Sequence, residues 1–191
     1  MSNNLEQFRQ GLKKAHADLE MEPPFRAVSG HTVTMADVKN FLSILHRFYQ
    51  AADNHIIHSP FAIDGLYQRR ADLLAEDIKN IGGEPVLTGA CDVAMPAIDS
   101  EAQWLGVVYT IEGSAAGGRY LLRHLRHQLQ ENLGACTSFF TTISASYETH
   151  WPKVIAAFNE KVNTDSDVEH AISAGVSVFD DLVLISKRLP V

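Results

Sequence analysis

The chain has 191 residues, 46% of them hydrophobic, which is enough to bury a sizeable core and fits one domain over residues 1–191. A formal net charge of −7 argues against nucleic acid or an anionic membrane surface as a general partner. No apolar run approaches the ~20 residues needed to span a bilayer, the N-terminus lacks a secretory apolar segment, and Cys91 and Cys136 stand far apart. A soluble cytoplasmic protein with neither a disulfide framework nor a thiolate metal site is expected.

Leu5, Phe8, Leu12, Ala15 and Leu19 recur every three or four residues, which predicts a first helix ending before Pro23 and Pro24. Thr34 and Asp37 resemble a capping box for a second helix carrying Val38, Phe41, Leu42, Leu45 and Phe48 toward Pro60. A third helix is expected to begin after Asp64, to carry Leu66, Leu73, Leu74 and Ile78, and to stop at Gly82 and Gly83, where glycine supplies a left-handed exit. A loop with Pro85, Gly89 and Pro96 follows. Ser100 and Gln103 then cap a long helix running to about Gly134, and Thr149 and Thr164 mark two further starts. With no convincing strand alternation and no repeat, the fold class is all-α, a compact multi-helix domain.

Two helical faces call for explanation. On the long helix, Trp104, Val108, Ile111, Ala115, Leu122, Leu125 and Leu129 form an ordinary core stripe. Gly106, Thr110, Gly113 and Gly117 form a stripe of small residues on roughly the opposite face, with Gly118 beside it. Each glycine costs ~1 kcal/mol relative to alanine in a helix interior, so a bare backbone must be useful there. Either another helix crosses closely, or a flat ligand lies against the main chain; spacing alone leaves both open.

On the first helix Arg9, Lys13, His16 and Glu20 step by four, three and four. A solvated charged face is the commoner use of such a stripe. A histidine followed one turn later by a glutamate can also offer one ring nitrogen to a metal while the carboxylate orients the other. Two cations on the same face suit anionic groups of the same ligand.

Together these faces resemble the haem oxygenase family, in its bacterial branch found beside bacteriophytochromes. LKKAHADLE resembles the segment bearing the proximal histidine, RRADLLAEDIKNIGG the charged helix with a glycine turn, and GVVYTIEGSAAGGRYLLRHL the distal helix; SFF, THWPKVIAAF and AISAGVSVF keep the family's order. The resemblance implies that His16 is the axial haem ligand, that Glu20 supports it, and that Arg9 and Lys13 approach the haem propionates. It makes Gly113, Gly117 and Gly118 the distal glycines over the iron, with Ser114 where many members carry a proton-delivering aspartate. The implied reaction opens haem to biliverdin, carbon monoxide and ferrous iron with O2. Its electrons come from a separate donor such as a reductase, ferredoxin or flavodoxin, and a biliverdin-accepting phytochrome is an implied partner. No clear counterpart is found for the family's further propionate-binding cation in the later helix, where Lys153 is near but Pro152 and Ala156 stand where basic residues are expected.

Rival readings follow from the same residues. A haem storage or delivery protein would share His16 and the glycines, and Ser114 keeps that reading open. A related helical fold without haem lacks support, because no positioned cysteine nucleophile or helix-spaced set of Glu and His ligands for two irons is present. His55 with His58, and His124 with His127, have metal-compatible spacing but no neighbouring carboxylate or third ligand, and read as surface histidines. Arg119, Arg123 and Arg126 read as a solubilising face, with docking of an acidic electron donor as the alternative.

Overall fold

The computed structural model describes residues 4–85, 95–134 and 136–188. Gly89 and Cys91 lie outside the described residues. Among them the chain forms helices and no strands: α1 (Asn4–Met21), α2 (Pro23–Val28), α3 (Met35–Ile57), α4 (Ala71–Asn80), α5 (Glu101–Leu129), α6 (Ser138–Lys161) and α7 (Asp165–Arg188). The all-α expectation holds.

Local chemistry explains several boundaries. Thr34 accepts from the Asp37 N–H while the Asp37 carboxylate accepts from the Thr34 N–H, closing the capping box that starts α3. The same reciprocal pair, Thr164 with Asp167, starts α7. Ser100 caps α5 by accepting from the Gln103 N–H, although the Gln103 side chain reaches the Asp99 N–H rather than that of Ser100. Gly82 adopts φ +68°, the left-handed exit expected after α4. Beyond Leu129, a single 3-10 turn over Gln130–Leu133 carries the chain to Gly134.

Three expectations are corrected. The short helix α2 opens on Pro23 and Pro24, which there serve as first-turn residues rather than only as breakers. The third helix starts at Ala71, not after Asp64, and Leu66 belongs to the preceding turn segment. Its first N–H groups are taken by a carboxylate from another helix: Asp53 of α3 accepts from the N–H groups of Arg70 and Ala71 at 3.0 and 2.9 Å. Likewise α6 begins at Ser138, where Asp77 of α4 accepts from the N–H groups of Ser138 and Phe139 at 2.8 and 2.9 Å. Thr149 therefore lies inside α6, its hydroxyl donating back to the Ser146 carbonyl, and Pro152 is an interior proline.

The long helix α5 is the centre of the packing, with α7 and α6 against it and α1 against α7. From Ala102 to Glu112 every residue except Gln103 is buried. The expected core stripe of α5 is buried throughout, and the Trp104 indole N–H donates to the Ile56 carbonyl at 2.9 Å. Beyond Glu112 the burial becomes one-sided. Ala115, Leu122 and Leu125 still face the core, while Ser114, Ala116 and Gly117 are exposed.

Candidate functional site

The two explanations of the small-residue stripe apply to different halves of it. At Gly106 an added Cβ would stand 2.3 Å from the Ala171 carbonyl oxygen of α7, so the N-terminal half is a close helix crossing. Gly175 completes that crossing from the other side, since a Cβ there would meet the Thr110 hydroxyl at 2.7 Å. At Gly117 a Cβ would find nothing within 4 Å, and at Gly118 only Phe140 at 3.7 Å. The C-terminal half faces space.

That space is a cavity of about 750 Å³, within the range of small-molecule sites. One wall is α1, which contributes Arg9, Lys13, His16 and Glu20. The facing wall is α5, with Gly113, Ser114, Gly117 and Gly118. Residues that the sequence groups into two separate stripes thus line one cavity. Helix α7 adds Val178, Phe179 and Leu182, and α6 adds Phe139, Phe140, Ile143, Tyr147 and Trp151.

On the α1 wall, His16 Nδ1 lies 3.6 Å from a Glu20 carboxylate oxygen, one helical turn away. The Phe179 ring meets the imidazole edge-on, with centroids 5.4 Å apart and planes at 87°. The carboxylate thus stands on the Nδ1 side of the imidazole. The side chain is 56% exposed and so within reach of a molecule entering the cavity. Arg9 Nε donates to the Tyr109 hydroxyl at 2.7 Å, tying α1 to α5 at the cationic end of the cavity. Burial raises the pKa of that phenol, and the Arg9 guanidinium pulls it partly back.

Among the polar side chains that α5 brings to the cavity is Ser114, whose hydroxyl donates to the Ile111 carbonyl at 2.6 Å. Tyr49 of α3 also lines the cavity and is outside the sequence-derived set. Burial pushes the Tyr49 phenol up to about 12, so it is a neutral hydroxyl at physiological pH. Trp151 of α6 is a second addition: its ring edge would stand 3.1 Å from a Cβ at Gly113, so it rests on the bare backbone there. Among the described residues α6 brings no cation to the cavity, and Lys153 lies on its exposed side.

Behind this wall lies a buried polar cluster that sequence reasoning passed over. The Arg70 guanidinium, fully buried, forms a two-pronged pair with Glu112, both N···O distances being 2.9 Å. Glu112 also accepts from the Gln68 N–H at 3.0 Å, and His150 Nε2 of α6 lies 3.3 Å away. Burial opposes both charges, but each partner outweighs it: the Glu112 pKa is lowered and that of Arg70 raised. The available signal was Glu112 itself, a lone charge in the otherwise uncharged run WLGVVYTIEG.

The other histidine pairs serve the fold or the surface. His55 Nε2 contacts the Pro96 carbonyl and His124 Nε2 that of Gly30, while His58 Nδ1 contacts the Asn54 carbonyl within α3. Among the described residues no group of three His, Cys, Asp or Glu side chains is placed to hold a metal ion. Arg119 reaches Glu148 of α6 at 3.5 Å and lies over the Tyr147 ring, while Arg123 and Arg126 are exposed.

Comparison with known proteins agrees with this architecture. No family model matches the chain. A haem oxygenase of Xanthomonas campestris is 30% identical over 113 residues, a match spanning 59% of this chain and 64% of the relative. Among solved structures, the NO- and CO-bound haem oxygenase of Neisseria meningitidis superposes with a TM-score of 0.71 at 18% identity, covering 98% of this chain and 92% of that one. A haem complex of heme oxygenase-1 from the cyanobacterium Synechocystis gives 0.67 at the same 18% identity, again covering 98% and 92%. The fold is therefore haem oxygenase-like.

Proposed function

We propose that this chain is a haem oxygenase: it binds haem in the cavity between α1 and α5 and opens it to biliverdin, carbon monoxide and ferrous iron. The observation that carries the reading is the convergence on one cavity of His16 with Glu20 on one wall and Gly113, Gly117 and Gly118 on the other. The named relatives support it as a family likeness.

The residues present suit haem. A flat macrocycle needs a slot, and the wall at Gly117 is bare backbone with no atom within 4 Å of where a side chain would begin. His16 would supply the nitrogen ligand of its iron, with Nδ1 on the Glu20 side. Its carboxylates need cations, and Lys13 and Arg9 stand one and two turns from His16 on the same face. When bound, haem supplies the iron at which O2 is reduced, with electrons from an external donor.

The chain's own part is steric and polar. His16 would hold the ligand from the α1 wall, and Gly117 and Gly118 leave the facing stretch of α5 without side-chain bulk. The Phe179, Leu182 and Ile143 side chains keep water from the apolar flanks. Tyr49 and Ser114 are among the hydroxyls lining the cavity, and proton transfer toward the ligand would fall to such groups and to water beside them.

One observation favours a second reading, haem storage or delivery without turnover. The Ser114 proton is engaged by the Ile111 carbonyl of its own helix, and serine cannot carry the charge of an aspartate. Titration with haemin tests the site: the expected result is a saturable histidine-ligated spectrum that His16→Ala abolishes, and a spectrum unchanged in that variant refutes the assignment. Adding a reductase system and O2 separates the two readings. Loss of the haem band with growth of biliverdin absorption supports turnover, whereas haem that persists unaltered through repeated reduction supports storage.

A further inference from the structure

Three successive turns of one face of α5 present different surfaces to the cavity. Tyr109, Gly113 and Gly117 stand four residues apart. At Tyr109 the hydroxyl accepts from Arg9 Nε at 2.7 Å, which marks the cationic end. At Gly117 the backbone is bare, with nothing within 4 Å of where a side chain would begin. Between them Gly113 is covered: the Trp151 ring carbons Cη2, Cζ3 and Cζ2 would lie 3.1, 3.6 and 3.7 Å from a Cβ there. Gly113 therefore seats the indole much as Gly106 seats α7, and the uncovered wall begins one turn later.

The indole is braced in that place. Its ring centroid lies 4.6 Å from that of Tyr109, and Tyr147, one turn earlier on α6, stacks on it with planes at 16° and centroids 6.2 Å apart. Arg119 of α5 lies over the Tyr147 ring in turn, its guanidinium carbon 5.8 Å from the centroid. A side chain packed on backbone and against two rings cannot turn aside without losing contacts to all of them. We infer that Trp151 is a specificity-determining residue of the cavity: seated on Gly113 between the Arg9–Tyr109 end and the bare wall at Gly117, it is the stop that fixes the in-plane angle of a flat, carboxylate-bearing ligand.

The inference rests on the proposed haem site and deepens it. A macrocycle tied to His16 at its centre keeps one large freedom, rotation about the iron–nitrogen axis. Arg9 draws the carboxylates toward the Tyr109 end, and the indole edge blocks the sweep of the flat body past Gly113, so one seating remains and one edge of the ligand comes under Gly117. Removing the indole frees the rotation and leaves the axial bond untouched. The edge that is opened follows the seating, so the product isomer depends on Trp151.

The test has an unloaded and a loaded arm. Without ligand, 13C-resolved NMR of the tryptophan rings gives signals from Trp104 and Trp151, and Trp151→Phe identifies the second set. Gly113→Ala should shift the Trp151 ring signals, because its methyl presses on the indole, whereas Gly117→Ala should leave them in place. Trp151 signals unmoved by Gly113→Ala overturn the inference. With haemin and cyanide added, the haem methyl proton shifts report the in-plane seating. The unaltered chain should show one seating, and Trp151→Ala should keep the saturable histidine-ligated spectrum while adding methyl signals from further angles. A merely structural tryptophan would alter stability and leave the seating alone. An unchanged methyl pattern in Trp151→Ala, or several seatings already in the unaltered chain, overturns the inference while the haemin titration stands; a chain that takes up no haemin overturns the proposed function and this inference together. Should Trp151→Ala not fold, Trp151→Leu shortens the side chain within the apolar packing, and an unchanged pattern there overturns it equally.

Discussion

Replacing one glycine at a time separates the two uses of the α5 stripe. At Gly106 the added Cβ would lie 2.3 Å from the Ala171 carbonyl oxygen, about 1 Å inside the closest comfortable C···O approach. A backbone carbonyl in the middle of α7 cannot rotate aside, so α5 and α7 must separate along their crossing. Overpacking of that kind costs roughly 3 kcal/mol, less ~1 kcal/mol returned by the better helix propensity of alanine. Gly106→Ala should therefore lose about 2 kcal/mol, or about 4–8 °C in Tm for a chain of this size. At Gly117 the propensity gain stands alone, because nothing lies within 4 Å of the new methyl. Gly117→Ala should raise the stability of the unloaded chain by up to ~1 kcal/mol, or about 2–4 °C. The same methyl narrows the slot, and haemin affinity should fall tenfold or more, a loss of about 1.4 kcal/mol. Thermal unfolding by circular dichroism and haemin titration measure both effects. A Gly117→Ala chain that is less stable, or that binds haemin as before, refutes the reading of that wall as open ligand space; a neutral Gly106→Ala refutes the tight crossing.

Other outcomes follow from buried carboxylates. Asp181 on α7 is 8% exposed with Oδ2 unpartnered among the described residues, and burial pushes its carboxyl from 3.8 up to about 6. Because the folded chain holds that proton more tightly, stability should be highest below the unfolded value and decline as pH rises through about 6, by on the order of 3 kcal/mol. Asp181→Asn should remove this decline, giving a more stable chain at pH 8 and little change at pH 4 in urea titrations; parallel pH profiles would count against it. Asp77→Ala strips the acceptor from two N–H groups at the start of α6 and should cost about 2 kcal/mol, with Asp77→Asn milder because an amide oxygen remains. Asp53→Ala should cost about 3 kcal/mol and speed amide exchange at Arg70 and Ala71, whose N–H groups lose their acceptor.

Part of the site was legible because each half of it is periodic along one helix. Arg9, Lys13, His16 and Glu20 share a face of α1, and Gly113 and Gly117 share a face of α5, so local spacing alone groups them. Spacing could not choose between a helix crossing and a ligand wall; a crossing occupies one part of the stripe and a cavity wall the other. The choice is made by α7, which covers Gly106 and leaves Gly117 bare. Tyr49 and Trp151 were illegible for another reason: an aromatic residue on a helix reads as core whether it ends in packing or at a cavity. Arg70 and Glu112 are 42 residues apart, and although Glu112 stands out as a lone charge in an apolar run, Arg70 resembles an ordinary surface charge until the fold closes around it.

The helix boundaries divide along the same line. Where the capping group lies within a few residues of the start, as with Thr34 and Asp37, Ser100, and Thr164 and Asp167, the sequence alone determines where the helix begins. The starts of α4 and α6 are capped by Asp53 and Asp77 from other helices, so no local pattern announces them, and the expected starts after Asp64 and at Thr149 were displaced. Periodicity and nearby caps are encoded over one or two turns of chain and survive in the unfolded sequence. A carboxylate satisfying another helix's N–H groups, a cation neutralised across the core, and a glycine left uncovered exist only once packing has brought distant segments together.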